Sequence, residues 1–135
     1  MNREIKFRGI RIDNGEIVVG SLILKYGKSY ICYKASVKKT IGRKDIWCET
    51  EVAPESVGQF TGLHDKNGVV EAYEKDLAKH PSSKHLFEIV FYKGAFWLQS
   101  QEPSLLKNNI KTNISHLEFC EIIGNSFTNP ELINK

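Results

Sequence analysis

Glycine-centred turn signals recur along the chain at Asp13-Asn14-Gly15, Tyr26-Gly27-Lys28, Lys66-Asn67-Gly68 and Tyr92-Lys93-Gly94. Each lies between short runs rich in Val, Ile, Phe, Tyr and Trp. Gly and Asn reach positive φ at low steric cost, and tight turns of that kind carry the twist of the antiparallel strands they join. Hairpins therefore dominate the reading, and the expected class is a mainly-β barrel or sandwich with few short helical turns.

The runs place the strands. Ile5 and Phe7 share one side of the first and Lys6 and Arg8 the other. The apolar parity then moves to Ile10 and Ile12, which predicts a β-bulge at Gly9. "GEIVVGSLILKYG" gives a second strand, bent at Gly20, and "KSYICYKASV" a third. "KDIWCETEV" follows as a fourth, after a flexible basic loop from Lys38 to Lys44. "HLFEIVFYKGAFWLQS" is the clearest hairpin, with Phe87, Ile89 and Phe91 on one face. "HLEFCEIIGNSF" is expected as the last long strand, with Leu117, Phe119 and Ile122 pointing inward. Helical turns are predicted in "SLLKNNI", between Pro54 and Gly58, and at Pro130, where Asn129 supplies the cap.

At 135 residues the chain has room for one domain, or two small lobes, and its core needs no disulfide staples. The three cysteines, Cys32, Cys48 and Cys120, are widely spaced and read as buried thiols in a reducing compartment. No apolar run approaches the ~20 residues of a membrane span, and the N-terminal residues carry no secretory pattern; a cytoplasmic location is expected.

Charge is divided unevenly. Residues 1–50 hold 11 Lys and Arg against 5 Asp and Glu, whereas residues 51–135 hold 8 against 11. The expected organisation is a basic N-terminal β lobe over 1–51 and a C-terminal lobe over 52–135. Arg3, Lys6, Arg8, Arg11, Lys38, Lys39, Arg43 and Lys44 are the candidate nucleic-acid contacts, with Tyr26, Tyr30 and Tyr33 interleaved as stacking candidates. The chain's pI of about 8.7 is modest for such a binder.

Catalytic and metal patterns are weak. "YGKS" at 26–29 echoes the end of a phosphate loop, but the position that needs the first glycine holds Leu22. His80 and His85 flank a loop and could meet His64 or Asp76, yet no Cys-x-x-Cys spacing is present. His116, Glu118 and Cys120 would share a strand face at ~7 Å steps, too far apart for a nucleophile–base bond. Glu74, Asp76 and Asp65 read as solvated charges near a turn. Neither catalytic residues, nor a metal, nor a cofactor is expected.

Read together, "REIKFRGIRIDNGEIVVG", "VGQFTGLHDKNG", "FEIVFYKGAFWLQS" and "EIIGNSFTNPELI" resemble the YopX-like family of bacterial and prophage proteins over essentially the whole chain. The resemblance implies an SH3-type β-barrel from about residue 52 onward and a role as a prophage accessory protein. One position departs from the family pattern: Lys75 stands where the family carries glycine, and a lysine there is expected to avoid positive φ. The leading expectation is a non-catalytic binding module acting through protein contact or self-association, with Tyr92, Phe96 and Trp97 as the partner groove. Nucleic-acid binding by the basic lobe is the alternative.

Overall fold

The computed structural model describes residues 4–82, 85–101 and 111–132. Among these residues the chain is mainly β, with every strand pairing antiparallel, and it forms two compact units. One spans Glu4–Gln59, and the other runs from Phe60 onward. The helical turn expected in "SLLKNNI" lies outside the described residues.

In the first unit, β1 (Phe7–Ile10), β2 (Ile17–Lys25), β3 (Lys28–Lys38) and β4 (Arg43–Val52) form a meander. The order across it is β4-β3-β2-β1, and the first residues of β5 (Gly58–His64) pair on the far side of β1. Strand β2 changes partner midway: Ile17–Gly20 pair with β1 and Ser21–Lys25 with β3. Gly20 sits at that change, where a Cβ would collide with the Cys32 carbonyl. The β2–β3 turn carries positive φ at both Tyr26 and Gly27, 53° and 70°, which is the hairpin geometry the turn signals predict.

Gly9 needs a correction. The β1–β2 ladder runs from Phe7↔Gly20 to Ile10↔Ile17 without a register shift, so no bulge forms. A Cβ on Gly9 would lie 2.8 Å from Val52 Cγ2, so the glycine serves close packing. The parity change in the sequence reflects Ile12 leaving the strand, 58% exposed. Val18, Ile31 and Val52 make this unit's core, with Phe7, Leu22, Tyr33 and Val57 packed against them. The expected turn at Pro54–Ser56 is present as a 3₁₀ turn. Ser56 Oγ accepts the Ile10 N–H at 2.8 Å and donates to the Ala53 carbonyl at 2.6 Å, which ties that turn to the end of β1.

In the second unit, the later part of β5 pairs with β6 (Glu71–Tyr73). An antiparallel sheet follows, ordered β10-β9-β8-β7-β11. Its strands are β7 (Asp76–Lys79), β8 (Leu86–Tyr92), β9 (Ala95–Ser100), β10 (Lys111–Asn113) and β11 (Glu121–Asn125). No ladder joins β10 to β11 among the described residues. Ala72, Ala78, Ile89, Leu98, Leu117 and Cys120 form the core, with Phe87, Phe96, Ile114 and Ile122 packed around them.

Two expectations fail here. Residues Ile114–Phe119 form a 3₁₀ turn, capped by the Asn113 side chain accepting from the Ser115 N–H, and only Glu121–Asn125 extend as β11. The Asn-x-Ser capping pattern outcompetes the apolar alternation of "HLEFCEII". Leu117 is buried as expected, but Phe119 is 52% exposed. Lys75 does adopt positive φ, at 79°. Its N–H donates to the Ile89 carbonyl at 2.7 Å and its carbonyl accepts from the Ser126 N–H at 2.8 Å. Asp76 meanwhile accepts the Tyr73 N–H at 2.7 Å. Bonds on both sides over-determine the backbone, so it persists without a glycine.

Candidate nucleic-acid interface

The geometry of β3 and β4 singles out one surface. Their ladder is continuous from Ser29↔Val52 to Lys38↔Arg43, but β2 reaches only as far as Cys32. Beyond that point Tyr33–Lys38 and Arg43–Cys48 form a two-stranded ribbon, with no third strand paired to it among the described residues. Of the basic loop expected from Lys38 to Lys44, Lys38, Arg43 and Lys44 are strand instead. Only residues 39–42 turn, closed by Lys39 N–H donating to the Gly42 carbonyl at 3.0 Å, with Gly42 at φ 73°. β-branched Val37 and Ile46, placed in the third and fourth strands by the sequence, carry those strands outward to the turn.

Strand alternation gives the ribbon two unlike faces. Tyr33, Ala35, Val37, Lys44, Ile46 and Cys48 share the side that continues the core of the unit. Lys34, Lys38, Arg43, Asp45 and Trp47 share the other. On that side the cations nearer the sheet are matched to carboxylates: Lys25 with Glu49 at 2.5 Å, Lys28 with Glu51 at 4.0 Å and Lys34 with Asp45 at 3.8 Å. The Glu49 carboxylate raises the Lys25 ammonium above its ordinary value.

The outer end differs. Among the described residues no carboxylate pairs with Lys38, Lys39, Arg43 or Lys44. Arg43 instead donates to Ser36, from Nε to Oγ at 2.9 Å and from a terminal nitrogen to the carbonyl at 3.3 Å. That bond fixes the guanidinium across the ribbon without neutralising it. Two apolar side chains accompany these cations. Ile41 is 93% exposed in the turn, and Trp47 is 70% exposed with the Lys34 ammonium 5.8 Å from its ring centroid.

The other candidates are placed elsewhere in the unit. Arg3 lies outside the described residues. Lys6 pairs with Glu4 at 3.2 Å, and Arg8 is half-buried on β1. Arg11 makes two hydrogen bonds to Asp13, at 3.0 and 2.8 Å. Those bonds raise the guanidinium and hold the Asp13 carboxyl below its ordinary range. Of the tyrosines, Tyr26 is exposed at its turn, Tyr30 is half-buried beneath the Lys25 ammonium, and Tyr33 packs on the core. Sequence reasoning missed Ile41 and Trp47. The alternation Arg43, Asp45, Trp47, Glu49 already put Trp47 on the polar side, and Ile41 breaks pattern between Thr40 and Gly42.

In the second unit the aromatic trio divides. Phe96 packs toward the core, with its ring edge-on to Phe91 at 5.1 Å, and strand alternation turns Trp97 to the opposite face. The Trp97 indole N–H donates to the Tyr92 carbonyl at 3.0 Å, and the Lys93 and Lys111 ammoniums lie 5.4 and 4.2 Å from the Tyr92 ring centroid. The 3₁₀ turn removes the shared face supposed for His116, Glu118 and Cys120. The Cys120 thiol contacts the His116 carbonyl at 3.6 Å, and burial pushes it above the ordinary thiol range. His80 Nδ1 accepts the Ser82 N–H at 3.2 Å, and among the described residues no group of three His, Cys, Asp or Glu could hold a metal ion. A cleft of about 360 Å³ is lined by Leu63, His64, Ile114, Ser115, Leu117 and Glu118. No helix of the described residues is long and apolar enough to cross a membrane.

A comparison with curated proteins returned no match. The family model described as "YopX protein" matches residues 6–134, so it takes in both the ribbon and the second unit. The chain belongs to the YopX family.

Proposed function

We propose that this YopX-family chain is a non-catalytic binding module that holds a nucleic-acid backbone at the outer end of the β3–β4 ribbon. One observation carries the reading: Lys38, Lys39, Arg43 and Lys44 cluster there without carboxylate partners among the described residues, while the cations nearer the sheet are matched. Unneutralised cations on a narrow projection are what phosphate contact requires, and each contact made releases condensed counterions.

Contact with a protein partner, or with a second copy, through Tyr92 and Trp97 is the second reading. Tyr92 is 41% exposed beside two lysines, which supports it, but Phe96 is turned to the core and leaves the surface smaller. A role in prophage biology, a cytoplasmic location and an SH3-type barrel for the second unit belong to this proposal as well. The short antiparallel strands around one core, with a 3₁₀ turn leading into the last strand, support the barrel.

Fluorescence anisotropy with a short labelled duplex tests the reading. Four phosphate contacts predict an affinity loss on the order of 10²-fold between about 50 and 200 mM salt. Lys38→Glu combined with Lys39→Glu should abolish binding at the lower salt, whereas Lys93→Glu should leave it unchanged. Absence of binding by the wild-type chain at low salt, or indifference to the ribbon reversals, would reject nucleic-acid contact.

A further inference from the structure

Resting on that reading, we propose that the nucleic acid is duplex DNA. The ribbon lies along the minor groove, and Ile41 at its tip wedges between base pairs and kinks the helix toward the major groove.

The dimensions fit. Residues Tyr33–Lys38 span about 20 Å at about 3.4 Å per residue, and a two-stranded ribbon of that reach can follow a minor groove that opens as the duplex bends. The charges fit as well. Lys38 and Arg43 lie on one face, Lys44 on the other and Lys39 at the turn, so cations reach both sides of the ribbon. A groove presents phosphates on both of its walls, which this distribution matches. A flat anionic surface would leave one side unserved.

Ile41 is the residue that asks for duplex in particular. It is a β-branched side chain, 93% exposed, held beyond the cations by the Lys39–Gly42 hydrogen bond. No other side chain of the tip shields it. Apolar wedges of this size unstack a base step and bend the helix, and the cost is least at flexible pyrimidine–purine steps. Placed on phosphates alone, the isoleucine would remain in water and contribute nothing to binding.

A duplex labelled at both ends and carrying a central TA step reads the bend by energy transfer, alongside anisotropy for affinity. The wild-type chain should shorten the end-to-end distance. Ile41→Asn, at an exposed position that leaves the fold intact, should weaken binding by about tenfold or more, the scale of burying one isoleucine. The bend should disappear in that variant even where binding is saturated. Several outcomes overturn the wedge while leaving phosphate contact standing: unbent duplex in the wild-type complex, an Ile41→Asn variant that bends DNA normally, or tighter binding to single strands with loss on Trp47→Ala. No binding to any nucleic acid, or binding to vesicles containing anionic phospholipid in its place, overturns both readings.

Discussion

The Asp65 carboxylate accepts the Ile122 N–H at 3.4 Å across 57 residues of sequence while its other oxygen accepts the Asn67 N–H of its own turn at 3.1 Å. Lys66 N–H adds a bond to the Cys120 carbonyl at 2.8 Å. The β5–β6 hairpin is thereby fastened to the start of β11 by a side chain only 4% exposed. Asp65→Ala removes the acceptor of a sheltered amide and should cost about 1–3 kcal/mol. Asp65→Asn keeps one acceptor and should cost less. Urea denaturation measures both, and equal stabilities for wild type and the alanine variant would remove the clamp.

Lys75 holds φ 79° without being a glycine. A left-handed residue costs an L side chain roughly 1–2 kcal/mol, and glycine returns part of that through its looser unfolded chain. Lys75→Gly should therefore stabilise the protein by about 0.5–1 kcal/mol. A rise of a few degrees in thermal midpoint is the readout. Tyr26→Asn, at φ 53° in an 88% exposed turn, should act in the same direction.

Gly9 and Val52 occupy each other's space. Gly9→Ala forces a methyl to within 2.8 Å of Val52 Cγ2 and should destabilise by about 1–3 kcal/mol. The companion substitution Val52→Ala clears room, so the double variant should be less unstable than the two single losses added together. Strict additivity in a double-mutant cycle would contradict this contact.

Burial raises the Cys120 thiol above its unfolded value. The folded state therefore favours the neutral thiol. Its contribution is complete below the ordinary thiol pKa and is lost as pH rises through the folded one. Stability should fall more steeply on the alkaline side in wild type than in Cys120→Ala, measured by urea midpoints across that range. Cys120 should also react with a thiol reagent more slowly than Cys32 and Cys48, which are partly exposed.

The Arg11 hydrogen bond lowers the Asp13 carboxyl, so whatever the pair contributes is present above the unfolded carboxyl pKa and lost as pH falls through the folded one. Carboxyl NMR titration should place Asp13 below an ordinary aspartate, and Arg11→Ala should return it to the ordinary range. Because the pair is exposed, added salt should weaken it.

Much of the fold was written locally. The Tyr26-Gly27 and Lys93-Gly94 turns have positive φ at both central residues, as the dipeptides suggested, and the strands beside them fall where Val, Ile and aromatic residues accumulate. The 3₁₀ turns at Pro54 and Pro130 follow their prolines. The candidate interface was legible as charge, since Lys38, Lys39, Arg43 and Lys44 stood out at once. Its two strands were legible as well, but their projection was not, because the point where β2 pairing ends at Cys32 is set by a neighbouring strand.

Turn chemistry and side-chain alternation act between near neighbours, so the amino-acid order by itself determined that this would be a protein of hairpins. Contacts between distant segments decided the rest. Val52 gives Gly9 its purpose, Ile89 and Ser126 hold Lys75 in a left-handed backbone, and the end of β2 pairing at Cys32 leaves the basic ribbon standing alone. Each depends on which strand stops beside which, and that is settled only when the chain packs.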